Sequence, residues 1–221
     1  MIIGAGQQFP RNNSHCKLLC HFEADASDSS VGHSETHTPT VNGSPSYGAG
    51  KFGNCIDFGS TNTDKYVTFP DCEDWDIPSG IMFTVSLWYN LSSNTTKATL
   101  FNRNITDSTT IQSIQISYRG NISPKVIRIT INNVDTNFEI NLDTGIWYHF
   151  AICSNKSYFM CFHDGLLIQS IAAESLVSNQ ILSIGATFGG GNLFSGKIDE
   201  FAWIKGECLW TRNFDPPNRA S

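Results

Sequence analysis

The sequence predicts an all-β protein, a two-sheet antiparallel jelly-roll sandwich, on three observations. Apolar residues recur with period two along most of the chain, turn-forming residues break that pattern about every eight to twelve positions, and no long stretch carries apolar residues at helical spacing. So many antiparallel strands must stack or close to hide their edges, which favours two packed sheets over one open sheet.

Taken in order, the first strand is 17–23 (KLLCHFE). Residues 24–50 (ADASDSSVGHSETHTPTVNGSPSYGAG) are polar, Gly- and Pro-rich and without period, so they predict a long surface loop or mobile excursion. Strands follow at 54–58 (NCIDF) and 65–69 (KYVTF), then at 81–91 (IMFTVSLWYNL). In that last strand Ile81, Phe83, Val85, Leu87, Tyr89 and Leu91 fall on one face and Thr84, Ser86 and Asn90 on the other, which gives one dry face. Further strands are expected at 98–103, 111–119, 125–131, 136–142, 147–153, 158–163, 166–172, 181–186 and 197–205. At 221 residues the chain suits one domain over 16–217 between tails at 1–15 and 218–221.

Composition excludes some functions. A formal charge of −6 and only 15% charged residues argue against a nucleic-acid groove, which needs clustered Lys and Arg. No run of about 18 apolar residues is present to insert in a membrane. The N-terminal MIIGAGQQFPRNNSH has no basic leader followed by an apolar stretch, so the expectation is cytoplasmic synthesis without a secretory signal peptide. The odd count of 7 cysteines makes reduced thiols the default. Cys153 and Cys161 flank the turn SNKS; pairing Cys153 with Tyr158 and Cys161 with Phe150 sends the two sulfurs to opposite faces, so no bridge is expected between them. The N-x-S/T sequons at Asn12, Asn90, Asn94, Asn104, Asn121 and Asn155 follow from an Asn-, Ser- and Thr-rich composition.

Several stretches invite chemistry and are better explained without it. His33 and His37 in GHSETH have helical zinc-ligand spacing but lack the Glu of H-E-x-x-H, and a Ser/Thr/Pro loop does not hold two imidazoles on one helical face. His21, His149 and His163 are single strand positions, expected to be structural. GATFGGGNLF (185–194) leads from strand to strand, so its glycines predict a turn, not a phosphate cradle. The acidic run DCEDWDIPSG (71–80) lacks the alternating acids of a calcium loop and predicts a solvated turn anchored by Trp75. Asp199 and Glu200 are neighbours on one strand, and strict alternation sends them to opposite faces, Asp199 with Phe201 and Trp203. A glycosidase needs two carboxyl groups facing across one bond, which sequence neighbours on a strand do not provide.

Read together, LLCHFEADASDSSVG, GKFGNCIDFGSTNTDKYVTFPDCEDWDIPSGIMFTVSLWYN, WYHFAICSNKSYFMCFHDG and GKIDEFAWIKGECLWTRNFDPP resemble laminin-G-like, concanavalin A-like jelly-roll modules, in the version found in phage and viral structural proteins. The resemblance covers about residues 17–217. It implies two curved antiparallel sheets and roles in glycan binding, adhesion or virion decoration. It also implies a structural Ca²⁺ held by Glu23, the Gly53 carbonyl and Asp199. The glucanase branch carries acids at alternate positions of one strand, a pattern missing here. The expected function is therefore a non-enzymatic virion component of a bacteriophage, assembled in the host cytoplasm. Its expected partners are capsid, neck or tail proteins, a host-surface glycan, and further copies of itself. Tyr89, Tyr118, Phe188 and Phe194 are candidates to stack on sugar rings, with core or turn packing as the simpler account of each. The alternatives are a polysaccharide-acting hydrolase or lyase and a calcium-dependent cellular adhesion lectin.

Overall fold

Alternating side chains and frequent turns produce short antiparallel strands, and the computed structural model contains fifteen of them among the described residues, 10–103, 113–218 and 220. In chain order these are β1 (Cys16–Cys20), β2 (Thr40–Asn42), β3 (Ser46–Ala49), β4 (Asn54–Asp57), β5 (Tyr66–Phe69), β6 (Phe83–Leu91), β7 (Lys97–Arg103) and β8 (Ile114–Arg119). There follow β9 (Val126–Ile131), β10 (Val134–Glu139), β11 (Trp147–Ser154), β12 (Tyr158–His163), β13 (Leu166–Ala172), β14 (Leu182–Ile184) and β15 (Gly196–Lys205). Asn104, the start of the predicted strand 111–119 and most of the predicted N-terminal tail lie outside the described residues. No helix among the described residues is long and apolar enough to cross a membrane.

The strands form two sheets. The first runs β13-β12-β11-β6-β15-β4-β3, with β1 also paired to β15; the second runs β10-β9-β8-β7-β14-β5-β2. Their inner faces meet in one core. Five of the six residues expected on the dry face, Phe83, Val85, Leu87, Tyr89 and Leu91, are buried in it, whereas Ile81 precedes β6 and is exposed. Trp203 is its aromatic centre, with its ring 5.9 Å from Trp75, 6.3 Å from Phe83 and 6.4 Å from Phe101.

The outer face of the first sheet is also apolar, and the chain itself covers it. Residues 206–217 cross it as a strap, with Leu209 and Trp210 packed on Ala151, Cys153, Met160, Phe162 and Ile204. The Trp210 and Phe214 rings stack at 4.1 Å. Hydrogen bonds fix the strap at both ends, from Leu209 N to Thr84 Oγ1 (3.0 Å) and from Phe214 N to the Gly165 carbonyl (3.0 Å).

Four expectations change. The 24–50 segment is not merely a surface loop: it supplies the edge strands β2 and β3, and Ala26, Ser30 and His37 are buried. The 71–80 turn keeps Trp75 as its anchor, yet Asp74 is buried, and Asp71 and Asp76, while still reaching solvent, pair with Arg103. Strict alternation fails in β15, where a bulge between Asp199 and Ala202 holds Glu200 at φ 49°. Phe201 and Trp203 return to the core beyond it, whereas Asp199 lies opposite Trp88 on the other face. The hairpin pairs Cys153 with Met160 and Cys161 with Ile152, two residues off the predicted register. A shift of two preserves parity, so the sulfurs do lie in different clusters and all 7 cysteines are free.

Candidate functional site

The outer face of the second sheet carries aligned polar residues among those described. One row of residues, matched by cross-strand register, crosses all its strands from β2 to β10: Thr40, Thr68, Ser183, Asn102, Gln115, Thr130, Asp135. Every member is polar. A second row, Thr99, Ser117, Arg128 and Asn137, runs beside it on β7 to β10, and Lys97 and Arg119 form a pair beyond that. Each strand reaches this face by alternation: on β8, Ile114, Ile116 and Tyr118 enter the core while Gln115, Ser117 and Arg119 turn outward.

Hydrogen bonds already orient part of this face. Thr130 Oγ1 donates to Asp135 Oδ1 (2.7 Å), Arg128 Nε donates to Asn137 Oδ1 (2.9 Å), and an Arg128 terminal nitrogen lies 2.6 Å from Asp135 Oδ2. The hydroxyls of Thr99, Ser117 and Ser183 are buried with no partner among the described residues, a polar demand that native interiors rarely leave unmet. Lys97 is held below its usual range by partial burial and by the Arg119 and Arg128 charges. In a chain of net charge −6, three cations within one another's field mark this face as locally positive.

The aromatic candidates fare differently. Tyr89, Tyr118 and Phe194 are 0% exposed, so no sugar ring stacks on them. Their side chains share the parity or the cluster of core residues, and Tyr89 Oη also bonds His163 Nε2 at 2.9 Å. Phe188 is 43% exposed on a short turn, Phe188–Gly190, that packs against the Tyr66 ring through Gly190. Tyr66 and Phe188 thus stand at the β5 end of the polar face. Sequence reasoning missed the row itself. Alternating polar residues in 114–119 and 126–131 signalled an outward polar face, but only the register reveals that the alternations align.

Glu23, Gly53 and Asp199 do come together, around the turn between β3 and β4. Asp199 Oδ2 accepts from Lys51 N (2.8 Å) and Phe52 N (3.0 Å), and Glu23 Oε2 accepts from Asn54 N (2.9 Å). Asp199 is fully buried and its Oδ1 has no partner among the described residues. Burial, opposed by those backbone donors, pushes its pKa up to about 7. Gly53 sits at φ 56°, and a Cβ there would collide with the Glu23 carboxylate. Asp199 and Glu23 thus cap different N–H groups of one turn, and the Gly53 carbonyl accepts from Gly50 N (3.0 Å); carboxylate and carbonyl oxygens are the donor type that calcium takes. Glu200 is separately engaged, 2.7 Å from His21 Nδ1.

His149 and His163 are buried within the first sheet. His149 Nε2 lies 3.2 Å from Ser86 Oγ, and its ring is packed by Trp88, Trp210 and Phe214.

Residues 61–209 match the family model described as the concanavalin A-like lectin/glucanases superfamily. No curated protein sequence is significantly similar to the chain. Among solved structures, domain 4 of AbnA, a GH43 extracellular arabinanase from Geobacillus stearothermophilus solved in complex with arabinotriose, is 21% identical with a TM-score of 0.66, over 88% of this chain and 94% of that one. The binding domain of Paraclostridial Mosquitocidal Protein 1 is 15% identical with a TM-score of 0.66, over 90% of this chain and 51% of that one. The binding domain of botulinum neurotoxin serotype G is 16% identical with a TM-score of 0.60, over 88% and 48%. The chain spans about half the length of these two toxin binding domains.

Proposed function

The chain belongs to the concanavalin A-like lectin/glucanases superfamily, and from that premise we propose that it is a non-enzymatic glycan-binding module that decorates a bacteriophage particle. The observation that carries the glycan reading is the polar row from Thr40 to Asp135. Sugars are recognised by arrays of hydroxyl, amide and charged groups, and this row presents them at Thr40, Thr68, Gln115 and Asp135, with Arg128 beside it, while Ser183, Asn102 and Thr130 are buried between them. Partly aligned Arg128, Asp135 and Thr130 lower the cost of ordering on binding. The similar fold of the arabinanase domain, solved with arabinotriose, supports the same reading. Seven free cysteines suit assembly in a reducing cytoplasm, which supports the virion role. Electron microscopy of purified particles, with an antibody against this protein, tests that role.

Glycan-array screening followed by calorimetry tests the binding. Gln115→Ala and Arg128→Ala are each expected to weaken the best glycan roughly tenfold, the equivalent of one or two hydrogen bonds. Release of new reducing ends from the bound polysaccharide would instead favour the hydrolase reading.

The same proposal includes one structural Ca²⁺ held by Glu23, Asp199 and the Gly53 carbonyl, which would neutralise the Asp199 oxygen that lacks a partner. Calcium at about a hundred times its Kd is expected to raise the Tm by about 5–10 °C over chelator-treated protein. Asp199→Asn should abolish the difference. Identical melting curves with calcium and with chelator would remove the ion from the account.

A further inference from the structure

His37, Cys72 and Asp74 come from distant parts of the chain and meet in a buried cluster. His37 lies in the long connection between β1 and β2; Cys72 and Asp74 lie in the turn after β5. Their ligand atoms all fall within 4.8 Å of one another. His37 Nε2 is 3.2 Å from Asp74 Oδ2 and 3.4 Å from Cys72 Sγ. Those separations are close to the edges of about 3.3–3.6 Å expected for a tetrahedron with ordinary Zn–N, Zn–O and Zn–S lengths.

The surroundings are built as well. Asp28 Oδ2 lies 2.7 Å from His37 Nδ1, which fixes that nitrogen as the proton carrier and directs the Nε2 lone pair at the thiol and carboxylate. Asp28 is itself fixed, accepting through Oδ1 from Leu19 N (3.0 Å) and Ser30 N (2.8 Å) and through Oδ2 from Ser30 Oγ (3.0 Å). The Trp75 ring closes one side, 4.4 Å from the His37 ring. The imidazole is fully enclosed, whereas His33 stands partly exposed at the edge, its ring 5.6 Å away.

We propose that His37, Cys72 and Asp74 form a zinc site, with Asp28 orienting the histidine and Ser34 N holding Asp74 Oδ2 (2.6 Å). The mixed nitrogen, sulfur and oxygen donors select zinc over calcium or magnesium. Charge balances in both states. Without metal, an imidazolium and Lys17 offset Asp28 and Asp74; Lys17 Nζ is 3.7 Å from Asp74 Oδ1. Zinc enters as a dication and displaces two protons, one from the imidazolium and one from the thiol, so the net charge of the cluster is unchanged. The bound ion joins the β1–β2 connection to the turn that carries Trp75.

The test is titration of the chelator-treated full-length protein with Co²⁺ and then Zn²⁺. One equivalent of Co²⁺ is expected to produce a thiolate-to-cobalt charge-transfer band with the visible bands of a tetrahedral ion, and one equivalent of Zn²⁺ to erase both. Cys72→Ser removes the charge-transfer band, Cys208→Ser keeps it, and Asp28→Asn keeps it with metal affinity lowered about 10–100-fold. Absence of the band in the native protein, or its survival in Cys72→Ser, overturns the proposal and leaves His37 as an imidazolium bridging two aspartates. Should Cys72→Ser fail to fold, X-ray absorption of the zinc-loaded native protein decides. One sulfur at about 2.3 Å supports the site, and a shell without sulfur refutes it.

Discussion

Replacing Arg103 with methionine will lower the unfolding free energy by about 3–5 kcal/mol. Arg103 is among the largest fully buried side chains of the described residues, and its guanidinium ties β7 to the turn after β5 and to the 176–180 segment, which are otherwise joined by the single bridge Ile77–Leu176. It donates to the carbonyls of Trp75 (2.9 Å), Leu176 (3.1 Å) and Gln180 (3.3 Å), to the carbonyl of Ser178, and to the carboxylates of Asp76 (2.7 Å) and Asp71 (3.3 Å). Methionine fills similar volume but removes the guanidinium from the Trp75, Ser178 and Gln180 carbonyls, and each acceptor left buried without a donor costs about 1–3 kcal/mol; the Leu176 carbonyl and Asp76 keep Ile77 N and Ser178 N. Arg103→Lys should recover little, because one ammonium does not reproduce the planar fork with its five N–H groups. Urea unfolding at neutral pH measures both variants. A loss below about 1 kcal/mol for Arg103→Met would show that the carbonyls find water once the arginine is gone.

Acidification will destabilise the protein through His149, and His149→Gln will remove that part of the loss. Burial, with the nearby His163 and Lys51 charges, lowers the His149 pKa to about 3. The unfolded chain takes up this proton near pH 6.5, while the folded chain refuses it until about pH 3. Between those limits the unfolded state binds more protons, so stability rises with pH and falls as pH is lowered. The slope for one such group is about 1.4 kcal/mol per pH unit, so about 2–3 kcal/mol disappears between pH 6.5 and 4.5. His163, also lowered by burial, acts in the same direction, whereas Asp199, raised to about 7, acts in the opposite one. The comparison is therefore between native and variant proteins across the same pH range. Parallel stability curves would mean that His149 protonates without unfolding.

Much of the fold was legible because strands announce themselves locally. β12 and β13 match their predicted bounds, and β6, β11 and β15 differ only by one or two residues. Features decided by contacts between distant residues were not legible. The Glu200 bulge moved Asp199 to the other face, and no pattern within GKIDEFAWIK distinguishes a bulged strand from a regular one. β2 and β3 are three and four residues long, too short for a period to register in so polar a segment. The polar row depends on cross-strand register, which turn lengths alone do not determine. His37 was considered only as a pair with His33 at helical spacing, whereas the ligand-type atoms grouped with it are those of Cys72 and Asp74 in another segment. Tyr89 and Tyr118, offered as surface rings, already carried the parity of their buried strand mates.

The strap formed by residues 206–217 gives the sandwich a back and a front. One broad side is sealed by Leu209, Trp210 and Phe214; the opposite broad side carries the row from Thr40 to Asp135. The apolar strap and the polar row therefore face away from each other across one core. Residues 206–217 thereby make the two broad sides chemically unlike, without any second chain.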